Sequence, residues 1–202
     1  MHAVRAFVAP AALISVGVCQ ASASIVSISG GGMVLDPAPA DFPLPNQVQS
    51  TVVQGINEVQ GLVLGGTLEI DDLADIIGTV TLEPGTEVNS HLIAFDPAGS
   101  RQVNGIEVVF DTPVLAVIID DQRLFDTQAI FGLESLNYPA NTVFAYGFEG
   151  SESFTVSGDT VTFSSSASNP GDYFRVLTAI PTPGAGALLI VAGAGALRRR
   201  RA

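Results

Sequence analysis

Twenty acidic side chains and two histidines are the groups with which this 202-residue chain can do chemistry. Three acidic groupings stand out by spacing: Asp71, Asp72 and Asp75; Asp120 and Asp121; Glu149 and Glu152. Hard carboxylate oxygens suit Ca²⁺, which takes about 6–8 such ligands, and Asp71, Asp72 and Asp75 form the favoured candidate set. No D-x-[DN]-x-[DN]-G loop accompanies them. The expected cofactor is therefore none, with calcium at that acidic stretch as the one metal worth testing. A pair of carboxylates can also cleave a glycoside, one protonating the leaving oxygen while its partner attacks or activates water. A secreted glycosidase is thus the enzyme reading the residues leave open, and no catalytic residue is assigned.

Other chemistries find little support. His91 is the only histidine beyond the first few residues. A Ser-His-Asp triad would have to use it, and no G-x-S-x-G elbow is present. Between Ser90 and Leu92 it reads as a surface or hydrogen-bonded residue on the polar side of a strand. One such histidine with no cysteine beyond Cys19 almost excludes zinc. Arg175, three residues after Asp172, is expected to form a structural ion pair with it. With no Trp, sugar stacking would fall to Tyr138, Tyr146 and Tyr173.

The elements that must position these groups are short and β-rich. Residues 36–45 hold four prolines and read as an extended lead-in rather than a helix or central strand. Strand-like runs then recur at 50–54, 61–70, 78–83, 87–95, 102–110, 113–120, 128–132, 142–148, 152–157, 160–165 and 173–179. Ser153–Ser157 and Thr160–Ser164 alternate polar and apolar residues around Gly158-Asp159, the pattern of a hairpin. Pro113–Ile119 is nearly continuously apolar, as in a strand buried on both faces. The one helical window is Asp71–Ile77. The expected class is all-β, a single jelly-roll-like β-sandwich over 50–179 preceded by a proline-rich segment, 24–49.

Both ends read as addresses. Residues 1–23 show a weakly basic start, an apolar run from Ala6 to Val18, and the triplet Ala21-Ser22-Ala23. That order is the pattern of a secretory signal peptide cut after Ala23 by signal peptidase, with the secretion machinery as partner. Val18 is too large for the residue expected before a lipidated Cys19. Residues 180–202 carry Pro181-Thr182-Pro183, an apolar stretch 184–197, and Arg198, Arg199, Arg200 and Arg201. As a helix the apolar stretch spans about 21 Å, short for a hydrocarbon core of about 30 Å. The four cations favour a short transmembrane anchor held on the cytoplasmic side.

This three-part tail resembles the PEP-CTERM sorting signal of exported bacterial proteins, with Thr182 where the family has Glu. The resemblance implies a transient inner-membrane anchor, cleavage near Pro181, Thr182 and Pro183 by an exosortase-type membrane enzyme, and delivery to the cell surface or extracellular matrix. The domain itself is similar to one recurrent among such surface proteins. The similarity rests on Asn89-Ser90, Phe95-Asp96-Pro97, Leu115-Ala-Val-Ile118, Gly147-Phe148-Glu149 and Pro170-Gly171-Asp172 followed by Arg175-Val176. It implies location and fold class but no reaction.

Charge agrees with this division. All eight basic residues are Arg and lysine is absent, and the formal net charge is −12. Without both ends, three Arg face all 20 acidic residues, so the exported part lies near −17. Such a field repels phosphate backbones and excludes nucleic acid as a partner. The expected function is a non-enzymatic exported surface or matrix protein. The alternative is a carbohydrate- or calcium-binding adhesion module meeting extracellular polysaccharide, and the third reading is a secreted hydrolase.

Overall fold

The computed structural model describes residues 23–70, 80–140, 147–148, 152–168 and 170–181. Among these described residues twelve strands and one helix follow in chain order. They are β1 (Ile25–Ile28), β2 (Met33–Val34), β3 (Gln54–Asn57), β4 (Leu62–Val63), β5 (Leu68–Ile70), β6 (Val80–Leu82), β7 (Glu87–Phe95), β8 (Arg101–Phe110), β9 (Val114–Ile118), α1 (Asp121–Phe131), β10 (Ser153–Ser157), β11 (Thr160–Ala167) and β12 (Asp172–Ala179). The chain is mostly β, as its composition and spacing lead one to expect.

One sheet has the order β1-β8-β11-β10; a second runs β2-β3-β7-β12-β9, with β4 also paired to β7. Their facing sides share one apolar core, which includes Ile25, Ile93, Phe110, Phe163 and Phe174. The outer face of the second sheet is covered in turn by α1, the β5–β6 pair and the segment around Phe42, which build another core with Leu92, Leu124, Phe131 and Leu177. The second sheet is therefore a middle layer. Its central strands β7 and β12 are buried at almost every position.

That layering decides where side chains go. Successive strand residues face opposite sides. Along β7, Ile93 and Phe95 enter the inter-sheet core, whereas Leu92 and Ala94 enter the core under the helix. The antiparallel register carries the same parity onto β12, with Leu92 opposite Arg175 and His91 opposite Val176.

Several expectations change. Ile25–Ile28, inside the proline-rich segment 24–49 expected to precede the sandwich, is a strand paired with β8, with Ile25 and Ile28 in the inter-sheet core. Residues 128–132, expected as a strand, form the end of α1 and its Gly132 cap. Asp120 starts that helix by accepting a hydrogen bond from the Arg123 N–H at 3.0 Å. Leu124, Thr127 and Phe131 then bury one face. The β10–β11 hairpin forms as expected, Ser157 opposite Thr160 with Gly158 at φ 64°. The helical window at 71–77 lies outside the described residues, as does most of 142–148.

Gly171 shows how tightly β12 is seated. A Cβ there would lie 2.2 Å from the Asp96 Cα and 2.5 Å from the Phe95 carbonyl oxygen, both backbone atoms. The Gly171 N–H also donates to the Asp96 carboxylate at 3.0 Å. Gly171→Ala is expected to destabilise the fold by about 1–3 kcal/mol, seen as a lower urea midpoint with unchanged slope.

Candidate functional site

Parity along β3, β7 and β12 assembles two polar clusters inside the molecule, one on each face of the middle sheet. Under the helix, Glu58 follows directly after β3, and its N–H donates to the Ser90 carbonyl at 2.8 Å. Its carboxylate meets Arg175 across the sheet: Nε donates to Oε2 at 2.7 Å and Nη2 to Oε1 at 3.0 Å. The Ser90 hydroxyl donates to Oε2 at 2.7 Å, and the Tyr138 hydroxyl to Oε1 at 2.7 Å. Arg175 Nη1 adds the Thr127 hydroxyl at 2.7 Å, and its guanidinium stands 5.8 Å from the centre of the Phe131 ring. The two side chains are 1% and 0% exposed.

The arrangement has a plain chemical meaning. Each Glu58 oxygen already accepts two donors, which fills a carboxylate's lone-pair sites. A base needs a free lone pair, so this carboxylate is poorly placed to take a proton from a substrate. Burial first, then the Glu58 charge, raises the Tyr138 phenol far above its ordinary range, which keeps it a hydrogen-bond donor. The cluster is a buried, bidentate ion pair joining β3, β7, β12 and α1.

On the other face, His91 is fully buried between the sheets. Nδ1 lies 2.8 Å from the Asn57 side-chain oxygen and Nε2 3.1 Å from the Thr178 hydroxyl. Its ring is 4.9 Å from that of Phe110. Burial pulls its pKa down from 6.5 to about 4, against the opposing attraction of Glu58 and Asp111. A neutral imidazole with both nitrogens engaged supports packing rather than proton transfer at neutral pH.

A cavity of about 360 Å³ opens beside the Glu58 cluster. Asp36, Asn57, Gln60 and Ser135 supply polar lining, Leu133 and Leu136 part of its apolar wall, and Glu58 also borders it. It is of a size to take a small polar molecule.

The sequence candidates distribute as follows. Arg175 pairs with Glu58 rather than Asp172, which instead accepts the Ser165 hydroxyl. The reason is strand geometry: residues three apart point to opposite faces. His91 is hydrogen-bonded as expected but buried rather than on a surface, because both sides of β7 are covered. Tyr173 is fully buried, its hydroxyl donating to the Leu44 carbonyl at 3.2 Å and the Asp96 carboxylate at 3.3 Å, and so offers no stacking face. Asp120 caps α1, and Asp121 accepts the Gly147 N–H. Ala23 and Pro181 stand at the two ends of the described chain. Ala21, Asp71, Asp72, Asp75, Tyr146, Glu149, Thr182, Pro183 and Arg198–Arg201 lie outside the described residues. Among the described residues no three His, Cys, Asp or Glu side chains gather as a metal site, and no helix is long and apolar enough to cross a membrane.

Fold and site together define a class: an all-β protein whose middle sheet is covered on both faces and cross-linked by a buried ion pair. No protein family matches the chain, and neither the curated proteins nor the solved structures offer a match.

Proposed function

We propose that this chain is an exported, non-enzymatic cell-surface or extracellular-matrix protein, sorted through its C-terminal tail. The observation that carries the reading is the order Pro181-Thr182-Pro183, apolar 184–197, Arg198–Arg201. The Ala21-Ser22-Ala23 end of an N-terminal apolar run and the excess of acids between the two ends support it. Signal peptidase and an exosortase-type membrane enzyme are its processing partners, and the tail anchors it briefly in the inner membrane. The jelly-roll-like form of the sandwich belongs to the same proposal and rests on the strand spacing and two largely antiparallel sheets. The absence of a reaction is proposed because His91 is neutral and engaged at both nitrogens, while Glu58 is filled with donors.

Replacing Arg198–Arg201 with Gln is expected to reduce inner-membrane retention of the precursor and to lower the yield of the processed surface form, read by fractionation and intact mass. A variant that matures and localises like the original overturns the sorting reading. A carbohydrate- or calcium-binding adhesion module is the second reading, favoured by the polar lining of the cavity at Asn57 and Gln60. Titration of the purified exported protein with Ca²⁺ and a glycan array tests it, and silence in both removes it.

A further inference from the structure

We propose that cutting the Ala23–Ser24 bond creates an N-terminal ammonium that the Asp111 carboxylate holds, so that export processing completes the edge of the first sheet. The proposal rests on the export reading above. Ser24 immediately precedes β1, and Asp111 immediately follows β8, its antiparallel partner. The Ser24 nitrogen donates to Asp111 Oδ1 at 2.9 Å, and the Ser24 hydroxyl to Oδ2 at 3.2 Å. The Asp111 N–H returns a hydrogen bond to the Ser24 carbonyl at 3.2 Å. Both carboxylate oxygens are thus aimed at the atoms of one residue, the residue that becomes first if the signal is cut after Ala23.

The chemistry of the step is simple hydrolysis. Water gives its hydroxyl to the Ala23 carbonyl carbon as the carbon–nitrogen bond breaks, and a proton to the Ser24 nitrogen. A further solvent proton makes that amine an ammonium near neutral pH, since an α-amino group ordinarily titrates near 8. A neutral amide donor facing a carboxylate becomes a cationic one, so an ion pair is added to a hydrogen bond that the carboxylate had already made charge-assisted. Ala23 is fully buried, so the cut precedes closure of the domain around it. Next along the strand, the Ile25 N–H donates to the Asn57 side-chain oxygen at 3.2 Å, which ties the new terminus to the His91 cluster.

The chain has no lysine, so its α-amino group is the only primary amine and an acylating reagent reads it alone. The full-length chain is exported from a bacterial host, and the recovered protein is analysed by intact mass before and after brief acetylation near pH 8. The expected result is a chain that starts at Ser24 and is acetylated about threefold more slowly than Asp111→Asn, because a surface ion pair of this kind lowers the free-amine fraction by a few-fold. Raising the salt concentration on the original protein should remove most of that protection, since exposed charges are screened. This second comparison decides the matter if the variant does not fold. A chain starting at Ser24 whose acetylation ignores both Asp111 and salt overturns the ion pair and leaves export standing. A different first residue overturns the proposal through the cut position, and a precursor retaining residues 1–23 overturns the export reading as well.

Discussion

Arg175→Met is expected to destabilise the domain by about 3–5 kcal/mol, the cost of leaving a buried carboxylate without its counter-charge. Glu58 would keep only the Ser90 and Tyr138 hydroxyls, with its side chain 0% exposed. Two neutral donors do not compensate an ion removed from water. A domain of this size has only about 5–15 kcal/mol of stability in total, so the variant stands near the edge of folding. The double variant Glu58→Gln/Arg175→Met is expected to recover most of the loss. It removes both charges, and the Gln side chain can accept from one of the two hydroxyls through its oxygen and donate its NH2 to the other. Urea unfolding of the two single variants and the double variant closes the cycle. Single losses that simply add in the double variant would show that Glu58 and Arg175 act independently.

How much of this centre was legible in sequence depends on parity and on distance along the chain. The residues that carried the domain resemblance do come together. Asn89 bonds the Gly61 N–H and the Ala179 carbonyl, Ser90 bonds Glu58, Asp96 bonds Gly171, and Arg175 completes the ion pair. In this chain their role is internal hydrogen bonding of the middle sheet. Glu58 escaped notice because its partner lies 117 residues away, and nothing in Ile56-Asn57-Glu58-Val59 marks its acid as buried. Helix α1 was equally obscure: its apolar face is only Leu124, Thr127 and Phe131, and one of these is a threonine. The Asp120 cap and Gly132 were the available signals. The strand at Ile25–Ile28 was hidden by the prolines that follow, although its own Ile-Val-Ser-Ile run reads as strand once considered alone. Burial of His91 could not be read from Ser90 and Leu92, because the alternation of β7 is overridden when both of its faces are covered.

That double covering leads to the last expected result, an acid-sensitive stability set by His91. Folded, its pKa is about 4, against an ordinary 6.5, with burial as the main cause. The unfolded chain therefore takes up a proton between these values that the folded chain refuses. Stability from this source is fully present above about pH 6.5, declines as pH falls toward 4, and levels off below that. The pull of Glu58 and Asp111 acts the other way and is already included in the net lowering. A lowering of this size corresponds to about 3 kcal/mol between the two limits. His91→Gln is expected to lose that part of the pH dependence, since an amide can bond Asn57 and Thr178 but does not titrate. Comparing the two proteins' urea midpoints at pH 7 and near pH 4.5 reads the contribution of the histidine as the difference between them. The variant is expected to be the less stable of the two at pH 7, through imperfect filling of the space beside Phe110, and to narrow or reverse the gap in acid. Parallel pH profiles would mean that His91 is protonated as readily folded as unfolded, and would remove the buried neutral imidazole from the account of how the two sheets are joined.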